Sequence, residues 1–169
     1  DDLRGSIFFG CRDYIDSQRP DVFILENVTV LDKLEGGRVI GMFMDLLRFI
    51  GGGAYVVTKF CLNSEDFGVP HHRVRVYIVG RLWHLIKEPM RIRVSGREDI
   101  EAFLDPLSVK QSPGTKQLTA IERRNLMSVI KALRNKGAEP RDENFIVDID
   151  ASDKFRGVRK NACPCMLAS

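Results

Sequence analysis

Two stretches of the chain carry side chains fit for chemistry. The first is Glu26-Asn27-Val28, which follows the apolar run Val22 to Leu25 introduced by Asp21. A short apolar run between polar boundaries reads as a buried parallel strand, and in open α/β sheets the carboxyl ends of strands border the ligand crevice. A carboxylate placed there is partly desolvated, so it can hold a proton near neutral pH and act as an acid or hydrogen-bond donor. The tripeptide alone equally allows Glu26 to cap a following helix or to stand in water.

The second stretch runs from Asn63 to Arg75, with Gly68-Val69-Pro70 at its centre. Glycine and proline set a turn, after which the chain enters a strand whose side chains alternate between faces. Arg73 and Arg75 then project to one side, with His71 next in line, while Val74, Val76 and Ile78 serve the core. Each guanidinium is a rigid fork of donors, suited to a phosphate or a base carbonyl. A solvated edge strand whose arginines pair with local acids would look the same.

These groups need elements to position them. Ile7, Phe8, Cys11, Tyr14 and Ile15 recur at helical spacing and predict an amphipathic helix over 5–17. Leu34, Val39, Phe43, Leu46, Leu47 and Ile50 predict a second over 33–50, stopped by Gly51, Gly52 and Gly53. Residues 55–62 and 73–80 read as strands, so strand, helix and strand alternate as in an α/β sheet. Past Leu82 the sheet pattern is lost among Pro89, Pro106 and Pro113. A helix over 118–135, with Thr119 or Gln117 near its start, and a strand over 144–149 are expected there, and Arg91, Arg93 and Arg97 alternate as on a strand. Near the end, Arg156, Arg159 and Lys160 form a basic run that could meet DNA phosphates, or simply a solvated loop.

Composition bounds the class. At 169 residues with 44% hydrophobic and 29% charged, the chain suits one folded domain rather than a disordered one. A net charge of +3 neither demands nor excludes nucleic acid. Apolar runs fall far short of the roughly twenty residues a membrane helix needs, and no positive leader precedes one, so a nuclear or cytoplasmic protein is expected. Cys11, Cys61, Cys163 and Cys165 are irregularly spaced and include a single Cys-x-Cys, so neither disulfides nor a metal site is expected.

Together these segments resemble the cytosine-5 DNA methyltransferase family. Residues 2–9 are similar to the family's segment after the nucleophile loop, Pro20 to Val28 to its ENV motif, and Phe67 to Gly80 to its Q-x-R-x-R motif with the strand that follows. The likeness covers about the first 80 residues, and linked motifs in register are more specific than any one of them. His71 departs from the pattern, standing where the family usually has glutamine. It could still donate a hydrogen bond, but it differs in size and can titrate.

The resemblance implies a partial Rossmann-like methyltransferase sheet with crossover helices, followed by a smaller irregular α+β region. Residues 1–85 would be the C-terminal half of the catalytic domain and 86–169 part of the target-recognition region. In the family a cysteine thiolate attacks C6 of a flipped cytosine, making C5 nucleophilic toward the methyl group of S-adenosylmethionine. By motif position Glu26 would hold N3 of the base, Arg75 would contact the cytosine carbonyl, Arg73 would support the catalytic loop and the DNA backbone, and Asn27 would orient the site. Ile7 would edge the cofactor. His71, Arg156, Arg159 and Lys160 would face DNA.

The family's Pro-Cys nucleophile and glycine-rich cofactor loop precede the segment matched at residue 2. Since the chain opens on Asp1, a piece of a longer enzyme, inactive alone, is expected. Pro164-Cys165, with Ser169 four residues on, imitates the nucleophile spacing. Met166, where glutamine is usual, favours instead a segment closing the target-recognition region. A tRNA-modifying branch shares the ENV and arginine motifs, though its Cys-Phe-Thr tripeptide is not in the chain, and a non-catalytic paralogue that binds nucleic acid or a partner enzyme would keep them too.

Overall fold

A computed structural model describes residues 6–103, 117–140, 142–150 and 157–163. The chain divides into two compact units, Asp1–Asn63 with Val74–Arg93, and Ser64–Arg73 with Val94–Ser169.

In the first unit the element order is α1 (Ser6–Gln18), β1 (Val22–Val28), α2 (Val30–Lys33), α3 (Arg38–Phe49), β2 (Tyr55–Asn63) and β3 (Val74–Leu82). Helix α1 stops where Arg19 takes a left-handed φ of 48° just ahead of Pro20. Helical periodicity over 33–50 is interrupted at its start. Glu35, Gly36 and Gly37 adopt positive φ, so a one-turn α2 is set apart from α3, which begins at Arg38. The expected stop holds, with Gly51 and Gly53 in the left-handed region.

Strand direction differs from the expectation. The sheet order is β1-β3-β2, and β3 runs antiparallel to both neighbours. The apolar run in β1 therefore does not mark a parallel strand in this sheet. The cause lies in the connections. β2 reaches β3 through a turn, which returns the chain antiparallel, while only β1 to β2 is joined through helices. β1 and β2 thus share a direction with β3 between them. The architecture is α/β with antiparallel sheets.

Period-two alternation decides the core. Phe23, Val57, Val76 and Ile78 point to one face and pack under Ile15 of α1 and Ile40, Met44 and Leu47 of α3; Leu47 and Val76 are fully buried. Phe8 stacks on Phe43 with ring centroids 3.6 Å apart. Gly80 is opposite Phe23 in the register, and a β-carbon there would collide with the Phe23 ring. Val22, Ile24, Val28 and Val56 belong to the other face and stand in solvent.

Tyr55 anchors the edge of this core, donating from its hydroxyl to the Pro20 carbonyl at 2.6 Å. Burial raises its pKa above the ordinary tyrosine value, Arg19 opposes the shift, and Asp21 and Asp16 add to it. A group whose folded pKa is raised contributes stability that is complete below its unfolded pKa, about 10, and lost as pH rises toward the folded value. Tyr55→Phe is expected to cost about 1 kcal/mol at neutral pH through the lost hydrogen bond. It should also flatten the alkaline decline that begins near pH ~10. Urea midpoints at neutral and alkaline pH test this, and an equally steep alkaline decline in both proteins would refute it.

In the second unit, α4 (Ala120–Asn135) opens on a capping box, with Glu122 N donating to Thr119 Oγ1 at 3.2 Å and Thr119 N to Glu122 Oε2 at 2.6 Å. The short strands β4 (Phe145–Val147) and β5 (Val158–Lys160) pair antiparallel. The expected strand over 144–149 is thus confined to its middle. Residues 91–95 form no strand, so the alternation of Arg91 and Arg93 does not place them on a common strand face.

Candidate functional site

The strongest convergence is between Glu26 and Arg75. β1 ends beside the beginning of β3, with Val28 opposite Arg75 and Glu26 opposite Tyr77, so both side chains rise from the same sheet face. Arg75 Nε lies 2.9 Å from Glu26 Oε1, a contact of charge rather than of a directed N–H···O bond. Arg75 Nη1 also donates to the Val74 carbonyl at 2.8 Å, which steers the guanidinium. The burial is unequal. The Arg75 side chain is 12% exposed and that of Glu26 44%. Glu26 is thus only partly withdrawn from water, between the desolvated and the solvated readings that its strand-end position allowed, while Arg75 beside it is nearly covered.

Asn27 points away from Glu26 by strand alternation, and its Oδ1 accepts from the Val28 amide at 2.8 Å, a local brace on the strand end. Ile7 stands on α1 with 66% of its surface open. In the register that joins β1 to β3, Asn27 is opposite Val76.

Arg73 and His71 belong to the turn 64–73, in the second unit. Arg73 precedes β3 rather than lying in it, and its carbonyl accepts from the Ser64 amide at 3.2 Å. Phe67 and Val69 amides both donate to the Ser64 carbonyl, and Ser64 Oγ donates to the His71 carbonyl. Sequence reading missed two fastenings of this turn. His72 Nδ1 lies 2.7 Å from Glu65 Oε2, and because a carboxylate only accepts, that nitrogen carries the hydrogen. Cys163 N donates to the Pro70 carbonyl at 2.6 Å and Cys163 O accepts from the His72 amide at 3.0 Å. An acid and a histidine straddling Gly68 and Pro70 were a readable signal for the first. Nothing local signals the second, since it joins chain ends far apart.

Arg159 and Lys160 are exposed on β5. Lys160 Nζ donates to Glu143 Oε1 at 2.7 Å, and its carbonyl accepts from Arg97. Arg156, Cys165 and the segment 2–5 lie outside the described residues. Among the described residues no three potential metal ligands gather, and no helix is long and apolar enough to cross a membrane.

Comparison with known proteins points one way. A family model described as C-5 cytosine-specific DNA methylase matches residues 1–154. The chain is 38% identical over 80 residues to Type II methyltransferase M.NgoBI of Neisseria gonorrhoeae, a match covering 47% of this chain and 24% of that protein. It is 41% identical over 81 residues to Type II methyltransferase M.BanI of Aneurinibacillus aneurinilyticus, covering 48% of this chain and 18% of that one. The matched stretch thus spans at most about a quarter of these relatives. Among solved structures, Entamoeba histolytica methyltransferase EhMeth aligns with a TM-score of 0.40 and 22% identity, over 53% of this chain and 26% of that one.

Proposed function

Since the chain belongs to the C-5 cytosine-specific DNA methylase family, we propose that it forms the base-holding part of an enzyme that transfers a methyl group from S-adenosylmethionine to C5 of cytosine in DNA. The supporting observation is the 2.9 Å approach of Arg75 to Glu26, which unites the ENV and arginine motifs from distant parts of the chain. N3 and the carbonyl oxygen are neighbours on the edge of cytosine. A carboxyl and a guanidinium held side by side match that edge, one at each atom.

In this reading Glu26 shares a proton with N3 as charge develops on the ring, and Arg75 donates to the carbonyl oxygen, drawing electron density from C6 and easing thiolate attack there. Arg73, delivered by the clamped turn, supports the catalytic loop and the DNA backbone, with His71 in the glutamine's place. Arg159 and Lys160 face DNA, as does Arg156. Asn27 orients the end of β1. When bound, S-adenosylmethionine supplies the methyl group as an electrophile. Ile7 fits the role assigned to it, since an apolar side chain 66% open to solvent offers a surface against which an adenosyl group can lie. Residues 1–85 act as the C-terminal half of a Rossmann-like catalytic domain and 86–169 as part of the target-recognition region. The thiolate and the rest of the cofactor pocket come from segments that this chain's motifs do not include.

The test is methyl transfer from labelled S-adenosylmethionine by the intact protein onto duplex DNA and onto tRNA. Label is expected at C5 of cytosine in DNA. Label on tRNA alone would assign the chain to the RNA-modifying branch, and label on neither would leave a non-catalytic paralogue.

A further inference from the structure

We propose that the solvent face of α4 is a contact surface for the phosphate backbone of duplex DNA, an inference that rests on the DNA reading above and extends it to a helix the motifs do not reach. At 3.6 residues per turn, Arg123, Arg124, Met127, Lys131 and Arg134 fall on one side of the helix. Glu122, Asn125 and Val129 fall on the other and are buried. The only acid in α4 is that buried Glu122, so its exposed face presents positive charge alone. Arg134 is shared with Glu139, at 3.2 Å. Arg123, Arg124 and Lys131 make no ion pair among the described residues, and a shallow hollow of about 490 Å³ opens beside Arg123, Arg124 and Met127.

The geometry favours a polyanion with spaced charges. From Arg123 to Lys131 the helix rises roughly 12 Å, which matches three to four base steps of about 3.4 Å along a duplex strand. An anionic membrane is a poorer fit. A helix lying in a bilayer surface must sink a broad apolar side into lipid, whereas α4 buries Val129 and exposes only Ile121 and Met127, on different sides of the helix, as large apolar groups. Single-stranded nucleic acid is also disfavoured, because it is held by aromatic stacking and α4 contains no aromatic residue. Met127, 60% exposed between the cations, adds a flexible apolar contact for a sugar.

The experiment measures binding of a labelled mixed-sequence duplex by the intact protein across salt, comparing it with R123Q/R124Q/K131Q. Each phosphate neutralised contributes about −0.9 to the slope of log K against log salt. The triple variant should bind more weakly with a slope shallower by about 2.7, so that from about 50 to 200 mM salt the unaltered protein loses roughly 40-fold more affinity than the variant. R123K/R124K, which keeps the charge, should keep the slope, as should R38Q/R48Q on α3. An unchanged slope in the triple variant overturns the inference even if DNA is methylated, which leaves the parent reading standing. Equal losses in R38Q/R48Q, or loss of binding to phosphatidylserine vesicles with duplex binding intact, also overturn it. Failure of every form to bind duplex overturns it together with the parent reading, a result the methyl-transfer assay reports independently.

Discussion

Replacing Glu26 by glutamine in the intact protein is expected to slow methyl transfer onto duplex DNA by about 10²- to 10⁴-fold, the usual contribution of a positioned acid or base. Glutamine keeps the size of the side chain and can still hydrogen-bond, but it can neither share a proton with N3 nor balance the guanidinium 2.9 Å away. The loss should fall on kcat and on kcat/KM alike, because the interaction strengthens only as charge develops on the ring. Duplex binding, dominated by phosphate contacts, should stay within a few-fold. Measuring single-turnover transfer and duplex affinity on the same preparation checks both parts. Undiminished transfer would remove Glu26 from the mechanism, and a loss confined to KM would make it a binding residue only.

Leu47→Ala is expected to carry the largest stability cost among single changes in α3. Leu47 is fully buried where the helix meets the sheet, and trimming a buried leucine typically costs about 2–5 kcal/mol through lost transfer energy and the cavity left behind. That is a sizeable share of the roughly 5–15 kcal/mol that holds a domain folded. Phe49, two residues on, is 78% exposed, so Phe49→Ala should change stability by no more than about 0.5 kcal/mol despite deleting a larger side chain. Chemical denaturation of the chain, followed by circular dichroism, compares the two. Equal costs would mean that α3 presents a different face to the sheet.

Much of the local structure was legible in the chain. The glycine stop after α3, the apolar alternation of β3 and the Thr119 start of α4 all rest on interactions within a few residues, so their residue types announce them. Motif order led to the expectation that Glu26 meets Arg73 and Arg75 together; the first unit brings Glu26 to Arg75, whereas Arg73 precedes β3 and belongs to the second unit. The extent of the second helix was misread because helical periodicity cannot see Glu35-Gly36-Gly37 turning left-handed, a choice the glycines permit rather than compel. How far Glu26 is desolvated was left open, because that depends on what covers the sheet face and a strand end says nothing of it; its side chain is 44% exposed.

What the amino-acid order determined alone is the set of elements and which side chains share a face, since periods of 2 and 3.6 are properties of neighbouring residues. Which way β3 runs, what it lies between, and which distant backbone clamps the Pro70 turn were decided by the tertiary structure. Alternation is the same for a parallel and an antiparallel strand, and a backbone hydrogen bond carries no mark of its partner. Direction and partnership come from how the connections close and from which apolar faces meet, and those are sums over the whole fold.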